Sequence, residues 1–439
     1  MKYYIADFHI HSKYSRATSK NMDFDTIAKW AKIKGLWLVG TGDILHPQWF
    51  KEAKDKLREK DVGIFEYNGA NFILTTEVSC VFQRGLEVKK IHIVLIFPNF
   101  ESVEKLSHKL GLYGNLSEDG RPTLNIDTKD FIKIVKDTDE DIMIIPAHVW
   151  TPWYSLFGAN SGFDSVEEAF GEYSGYITAL ETGLSSDPPM NWRLKQLDEY
   201  TLVSNSDAHS PNKLGREANV FSKALNFYEI KKIIEEKNKS LFLFTIEFFP
   251  QEGKYHYDGH RKCKVRFHPK ETKKHGYICP VCGKKLTIGV LHRVEELSTR
   301  EEGEVPENAI PCKHLIPLEQ IIADVYRVGE STKTVEREYL RLVKCFGSEF
   351  EVLLNVPFEE LLKCALNKRV AKAIVNVRNG KVKIEPGYDG VYGKISVILD
   401  DAKEEVKERI SLFKEQFKEN KLDKKGEIVP KDKGQLNLF

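Results

Sequence analysis

The chain has 439 residues, 41% of them hydrophobic and 30% charged, which suits two or three domains with buried cores and excludes disorder as the main state. Apolar runs such as residues 91–97, broken by His92, fall far short of the roughly 18 residues of a membrane span, and MKYYIADFHIH carries polar residues where a signal peptide is apolar. A cytoplasmic protein without a membrane partner is expected. Net charge is only +1, but residues 251–293 hold 11 Lys or Arg against 3 Asp or Glu, so a basic segment is joined to an acidic remainder.

Through the first 210 positions, seven short apolar runs each carry an acid or a histidine at or near their end. They are YYIADFHIH (His9, His11), LWLVGTGD (Asp43), NFILTTE (Glu77), KKIHIVLIF (His92), DIMIIPAH (His148), YITALE (Glu181) and TLVSNSDAH (Asp207, His209). Helical spacing separates several of them, with Phe24, Ile27, Ala28 and Ala31 before Gly35, and Phe131, Ile132 and Val135 before Asp137. Alternating strands and helices predict parallel strands with crossover helices, and polar residues delivered at one end of every strand predict an α/β barrel with its site on that face. Taken singly, each polar residue could cap a turn; seven in one rhythm argue for a site.

His9 and His11 are two apart in an extended segment and so share a face, where both imidazoles can reach one metal. Adding Glu77, His92, His148 and Asp207, with Asp43, His46, Glu181 and His209 as further ligands or proton carriers, gives a nitrogen and oxygen set too large for one tetrahedral ion. Two or three divalent metals (Zn, Mn or Mg) are expected, with a carboxylate such as Glu77 bridging ions about 4 Å apart. Asp207, His209, Glu77 and Asp43 are the expected catalytic residues.

Motif order and spacing resemble the polymerase-and-histidinol-phosphatase (PHP) superfamily, through His9-x-His11, the turn ending at Asp43, Thr-Glu77, His92, Pro-Ala-His148 and Ser-Asp207-Ala-His209. The resemblance implies a distorted seven-stranded barrel over residues 1–245, a trinuclear metal site and phosphoesterase chemistry. Two departures stand out: the usual Thr-Asp-His becomes Gly-Asp43-Ile-Leu-His46, and Lys13-Tyr14-Ser15-Arg16 lies where a third histidine is usual.

A closer resemblance spans almost the whole chain. NSGFDSVEEAF, SSDPPMNW, SNSDAHSPNKLGREAN, YHYDGHRKC, CPVCGKKLTIGVLHRVEEL and EPGYDGVYG are similar to the endonuclease Q family. That resemblance implies a DNA repair endonuclease that cuts on the 5′ side of deaminated bases (hypoxanthine, uracil, xanthine) and abasic sites, associated with the nucleoid.

Residues 250–300 read as a small zinc-binding module. Cys279-Pro-Val-Cys282-Gly is a zinc knuckle, in which the turn brings backbone amides onto the thiolates, and Cys263 is a third ligand. His260 is the choice for the fourth, because His-x-x-Cys mirrors the CxxC spacing; His256, His275 and Cys312 are alternatives. Lys262, Lys264, Arg266, Lys284 and Lys285 make its DNA-binding face, and Trp150, Trp153 and Tyr154, directly after His148, form a loop able to stack on an extruded base or to pack as a lid. Cys80, Cys345 and Cys364 read as ordinary core residues.

Residues 305–395 are expected to form a mainly helical domain, with Leu340, Val343, Phe346, Leu361, Leu362 and Ala365 on apolar faces. Residues 396–434 read as an amphipathic helix and charged tether, and Gln435, Leu436, Leu438 and Phe439 resemble a sliding-clamp-binding motif. Two other classes remain: a small-molecule phosphomonoesterase, which would have no use for the basic zinc module, and a non-catalytic DNA-binding module, which would not need the intact ligand set.

Overall fold

The computed structural model describes residues 3–399. Residues up to the end of the last strand form one compact unit, Met1–Val397, and a second unit is Ile398–Phe439. The amphipathic helix, the tether and the motif at 435–439 lie outside the described residues. Among those described, no helix is long and apolar enough to cross a membrane.

Of the twelve strands described up to residue 247, nine position the site: β1 (Tyr4–Asp7), β2 (Leu38–Gly40), β3 (Ala70–Arg84), β4 (Glu87–Phe97), β5 (Met143–Pro146), β6 (Ala179–Glu181), β7 (Thr201–Val203), β8 (Ala218–Phe221) and β9 (Phe242–Glu247); Arg58–Asp61, Ile64–Tyr67 and Thr123–Leu124 flank β3. β1, β2 and β3 pair in parallel, as the rhythm of runs and helices predicts. The helix Phe24–Lys34 that connects β1 to β2 buries Phe24, Ile27, Ala28 and Ala31, starts at Asp23, whose side chain accepts from the Thr26 amide, and stops at Gly35 in the left-handed region.

The all-parallel expectation fails at β4, which runs antiparallel to both β3 and β5. The cause is local. Only Gly85 and Leu86 separate β3 from β4, and a two-residue connection can only make a hairpin. Glu77 and His92 therefore sit within long strands and not at strand ends. β8 and β9 also pair antiparallel beside β1, so the large sheet is mixed, with eleven strands.

β6 and β7 pair in parallel with each other. Hydrogen bonds tie them to the large sheet at both sides: Val149 donates to the Glu181 carbonyl beyond β5, and Ile10 bridges Ala208 beyond β7. Ala6, Leu38, Ile73, Val94, Ile145, Ala179 and Val203, one from each of β1 to β7, meet in a single apolar cluster together with Phe227 and Ile230 of the helix Phe227–Glu235. The polar site stands on this apolar floor.

The later segments pack into the same compact unit. Strand Cys312–His314 pairs with β9, and the helical stretch is fastened to the first helix by a buried ion pair, Lys34 Nζ to Glu349 Oε2 at 2.5 Å. Tyr339 Oη and the Leu318 amide also donate to Glu349, so its charge is shared among three donors. Residues 382–397 form a hairpin, Val382–Glu385 with Lys394–Val397, not helix. Two further expectations are corrected. Leu340 is 48% exposed, because the buried face of helix Lys333–Phe346 is Val335, Tyr339, Leu342 and Val343. Cys345 and Cys364 are joined as a disulfide, their Cα atoms 6.6 Å apart where helices 333–346 and 358–364 meet.

Candidate metal centre and its surroundings

Glu77 is the hub. In the β3–β4 hairpin Ser79 stands opposite His92, so Glu77, two residues before Ser79, lies diagonally across the same face from His92. His92 Nδ1 is 2.7 Å and His148 Nε2 3.0 Å from Glu77 Oε1, while His11 Nε2 and His9 Nε2 lie 3.2 and 3.4 Å from Oε2. Two groups of side chains have ligand atoms within 4.8 Å of one another: His9, His11, Glu77 and Asp207, and Glu77, His92 and His148. Glu77 belongs to both.

The backbone is bent to make this possible. Asp43, His148 and Asp207 all have positive φ (46°, 30° and 47°), a region that non-glycine residues seldom occupy and that concentrates at functional sites. Two glycines allow the close approaches: a Cβ on Gly42 would meet the Ile10 carbonyl at 2.2 Å, and one on Gly183 would meet His148 Cβ at 2.4 Å.

Behind each histidine of the first group stands a carboxylate. Asp43 Oδ1 is 3.0 Å from His11 Nδ1 and takes the Ser12 amide and hydroxyl on Oδ2. Glu181 lies 3.0 Å from His9 Nδ1 and also accepts from the His148 amide and Asn205 Nδ2. With Nδ1 engaged by a carboxylate, each ring points Nε2 inward, the arrangement that orients metal-binding histidines. His9 Nε2, His11 Nε2 and Asp207 Oδ1 are buried and make no hydrogen bond. Orphaned, convergent donors of this kind fit a bound cation, which would satisfy all three.

The electrostatics agree. Burial works against ionisation of Glu77, yet the charges of His92, His9 and Arg121 outweigh it and hold the carboxyl well below its usual range. Asp207 is likewise lowered against burial by His11 and His9. Burial would neutralise His9 and His11, but Glu181 and Glu77 around one, and Asp43 and Asp207 around the other, raise both well above the usual value. His92, buried with less compensation, is pushed down to about 4. The carboxylates thus create a strong demand for positive charge.

Several expected residues take other places. Asp43 and Glu181 face the Nδ1 side of the histidines. His46 belongs to neither group: it precedes the helix Pro47–Lys56 without capping it through its side chain, and its ring stacks on Tyr14 with centroids 4.3 Å apart. The two residues inserted between Asp43 and His46 carry it past the site. His209 lies at the rim, one-third exposed, with Nδ1 2.9 Å from the Asp207 carbonyl. Trp150 is corrected as a base-stacking residue: it is 1% exposed, and its indole donates to Asn191 Oδ1 at 2.7 Å, inside the loop. Trp153 is 51% exposed, and Tyr154 leans on His92 at 4.9 Å.

Arg121 was not singled out by spacing. Its guanidinium reaches Glu77 Oε2 at 3.2 Å from the loop that follows Gly120 and is still 29% exposed. Asp7 was visible as the acid in ADFHIH. It is buried, holds the Ser206 amide and hydroxyl and the Gly215 amide, and so positions the strand end that carries Asp207.

In the basic module, His260, Cys263, Cys279 and Cys282 bring one ligand atom each within 4.8 Å of one another. Burial would raise the Cys279 thiol, but the backbone amides of Val281 and Cys282 and the His260 ring lower it to about 6. Cys312 lies apart, on the strand beside β9. Lys262, Lys264, Arg266, Lys284 and Lys285 are exposed. Asp389, in the EPGYDGVYG turn, accepts from the Arg261 amide and from Thr287 Oγ1, which clasps the module to the hairpin at 382–397.

Comparison with known proteins follows this geometry. Residues 317–381 match the MJ0043 C-terminal domain. The uncharacterised protein MJ0043 of Methanocaldococcus jannaschii is 38% identical over 257 residues, 56% of this chain but only 31% of that protein, so the chain spans about a third of its length. The uncharacterised protein YqxK of Bacillus subtilis is 30% identical over 410 residues, 90% of this chain and all of YqxK. The crystal structure of PfuEndoQ, a lesion-specific endonuclease from Pyrococcus furiosus, superimposes with a TM-score of 0.81 at 37% identity, covering 93% of this chain and 99% of that one. Endonuclease Q in complex with a 27-mer duplex substrate bearing an abasic lesion gives 0.78 at 38% identity, covering 90% and 97%. Agreement of sequence and structure over nine-tenths of both chains leads to one conclusion: the chain belongs to the endonuclease Q family.

Proposed function

We propose that this chain is a metal-dependent DNA repair endonuclease that hydrolyses the phosphodiester on the 5′ side of deaminated bases (hypoxanthine, uracil, xanthine) or abasic sites. The observation that carries the reading is the pair of ligand groups joined through Glu77, with three buried ligand atoms that converge without hydrogen-bonding. His9, His11, Glu77 and Asp207 would hold one divalent ion and Glu77, His92 and His148 a second, within the seven-stranded barrel for which the linked strands β1 to β7 speak. Such ions supply Lewis-acid stabilisation of a phosphodiester and activate water.

The chain's own residues do the rest. Asp43 and Glu181 keep the histidine rings turned inward. Arg121, beside Glu77 and partly exposed, is placed to neutralise phosphate charge. His209 faces a carbonyl, an acceptor, through Nδ1, so that nitrogen carries the proton and Nε2 keeps its lone pair. Burial lowers its basicity, leaving it neutral near pH 7 and suited to accept a proton at Nε2.

His260, Cys263, Cys279 and Cys282 would hold a structural zinc, and the exposed lysines and arginine of that module, with Trp153 and Tyr154, would contact DNA. The boundaries 1–245, 250–300 and 305–395 serve as its functional divisions. The motif at 435–439 would recruit a sliding clamp, and the site of action would be nucleoid DNA in the cytoplasm. The deciding experiment incubates the protein and divalent metal with end-labelled duplexes containing hypoxanthine, uracil, an abasic site or no lesion. Cutting on the 5′ side of the lesion alone is expected; equal cutting of the undamaged duplex, or turnover of simple phosphomonoesters only, would overturn the reading.

A further inference from the structure

One feature outside the ligand groups points to DNA independently. Between β4 and the loop after His148 lies an open cavity of about 630 Å³, bordered by Lys89, Lys90, Trp153, Asn160 and Arg293 and by the backbone of Gly158 and Gly162. Its charges differ in kind. Lys89 is paired with Glu87 at 2.7 Å, and Arg293 with Asp164 at 2.5 Å. Lys90 makes no ion pair among the described residues; its ammonium lies 5.1 Å from the centroid of the Tyr154 ring.

The position of Lys90 is set by the strand. It is two residues from His92 on β4, so both project from the same face, about 7 Å apart along the strand. Tyr154 stands between them, leaning on His92 and facing Lys90. The Lys90 amide donates to the Ser161 carbonyl and the His92 amide to the Tyr154 carbonyl, so the loop is stitched along this strand edge by backbone bonds that no side-chain change removes. A cation without a carboxylate partner, an exposed indole and a glycine-flanked loop edge border this groove, and Lys90 brings it within two residues of His92 along β4. A nucleic-acid strand needs these elements: positive charge for phosphate, an aromatic face for a base and little side-chain bulk where the backbone passes.

We propose that this groove carries the DNA strand next to the scissile phosphate, with Lys90 holding a neighbouring phosphate and Trp153 stacking on a base. The inference rests on the DNA-cleaving reading above and adds to it a strand path and a positioning residue, Lys90, that no motif marks.

The test measures binding, so that its failure is distinct from failure of the reaction. The full chain carrying Asp207→Ala, which keeps the DNA intact, is titrated with a fluorescein-labelled duplex containing an abasic site, at several salt concentrations. Adding Lys90→Gln should weaken binding roughly tenfold near 0.1 M salt and reduce the slope of log K against log salt by about 0.7 to 0.9, the value for one lost phosphate contact. Lys90→Arg should restore both, and thermal unfolding of the two variants reports whether either change disturbs the fold. Unchanged affinity and slope in a folded Lys90→Gln protein would overturn the groove assignment. Absence of cutting by the wild-type protein, with the slope change intact, would overturn the proposed reaction and leave the groove standing.

Discussion

Two parts of the molecule gather metal-type ligands by opposite means. The site around Glu77 draws on residues from His9 to Asp207; its histidines and Glu77 are buried, Asp207 is partly exposed, and others hold them: Asp43 behind His11, Glu181 behind His9, Asp7 beneath the turn that carries Asp207. The cysteine group draws on 260 to 282, has an apolar core of little more than Val265, Cys279 and Leu286, and leans on backbone amides of a tight turn. The comparison teaches that the first site is held in shape by the packing and hydrogen bonds around it, whereas the second has little core of its own and rests on a short local turn.

The sharpest way to break that contrast is to remove a ligand whose surroundings do not depend on it. Asp207→Ala should lower cleavage of a lesion-containing duplex by about a hundredfold or more, with the unfolding temperature little changed and DNA still bound. Retention of more than about a tenth of wild-type cutting, measured in single turnover, would remove Asp207 from the ligand set. Asp43→Asn is milder. It keeps the shape but weakens the orientation of His11, so metal affinity followed by titration should fall about 10–100-fold, and activity should return at high metal concentration. Failure to recover would mean that Asp43 acts on the reaction itself.

Glu217 and Glu247 are both buried, and desolvation raises both; the charge of Glu247 adds to the rise at Glu217, and that of Asp187 to the rise at Glu247, which is pushed up to about 8. Because the folded value exceeds the ordinary 4.5, this group favours folding below pH 4.5, and that contribution is lost as pH rises through about 8. The wild-type unfolding temperature should therefore fall between pH 5 and 9, by the equivalent of a few kcal/mol, and Glu247→Gln should flatten the fall. Identical profiles for the two proteins would show that the pair is not proton-linked to stability.

Replacing Cys279 and Cys282 by Ser should release about one zinc per chain by elemental analysis and weaken DNA binding several-fold, while the Glu77 site keeps its ions. Unaltered zinc content would make the cysteines ordinary packing residues. The smallest effect on chemistry is expected from deleting residues 435–439: cutting of short oligonucleotides should stay the same, and retention on an immobilised sliding clamp should vanish. Equal retention with and without the motif would assign those residues another purpose.

The two sites were also unequally legible. The three cysteines of the small group could be read from their spacing, because they lie close in sequence; His260 was one candidate beside His256, His275 and Cys312, and the structure groups it with the cysteines. For the Glu77 site, the residue types could be read from His9, His11, Glu77, His92, His148 and Asp207, since buried histidines and acids at the ends of apolar runs have few other uses. Glu77 was legible as a candidate bridge, but which histidines fall on either side of it was not, because that follows from the antiparallel register of β3 on β4, in which Ser79 meets His92. The same hairpin explains why an all-parallel arrangement was wrong, although the short Gly85-Leu86 connection was there to be seen.

By itself, then, the sequence determined the apolar rhythm, the first helix up to Gly35, the ligand types, the basic cysteine module and the family resemblance, all properties of near neighbours and of composition. Only the tertiary structure decided that Asp43 and Glu181 stand behind histidines, that His46 turns to Tyr14 and Trp150 into the core, that Cys345 meets Cys364, and that Arg121 and Lys90 come to the site from a loop and a strand edge. The physical reason is that a side chain's role depends on which atoms lie within a few ångströms of it. Those atoms come from residues up to about two hundred positions away, brought together by strand register and loop path, about which local spacing carries no information.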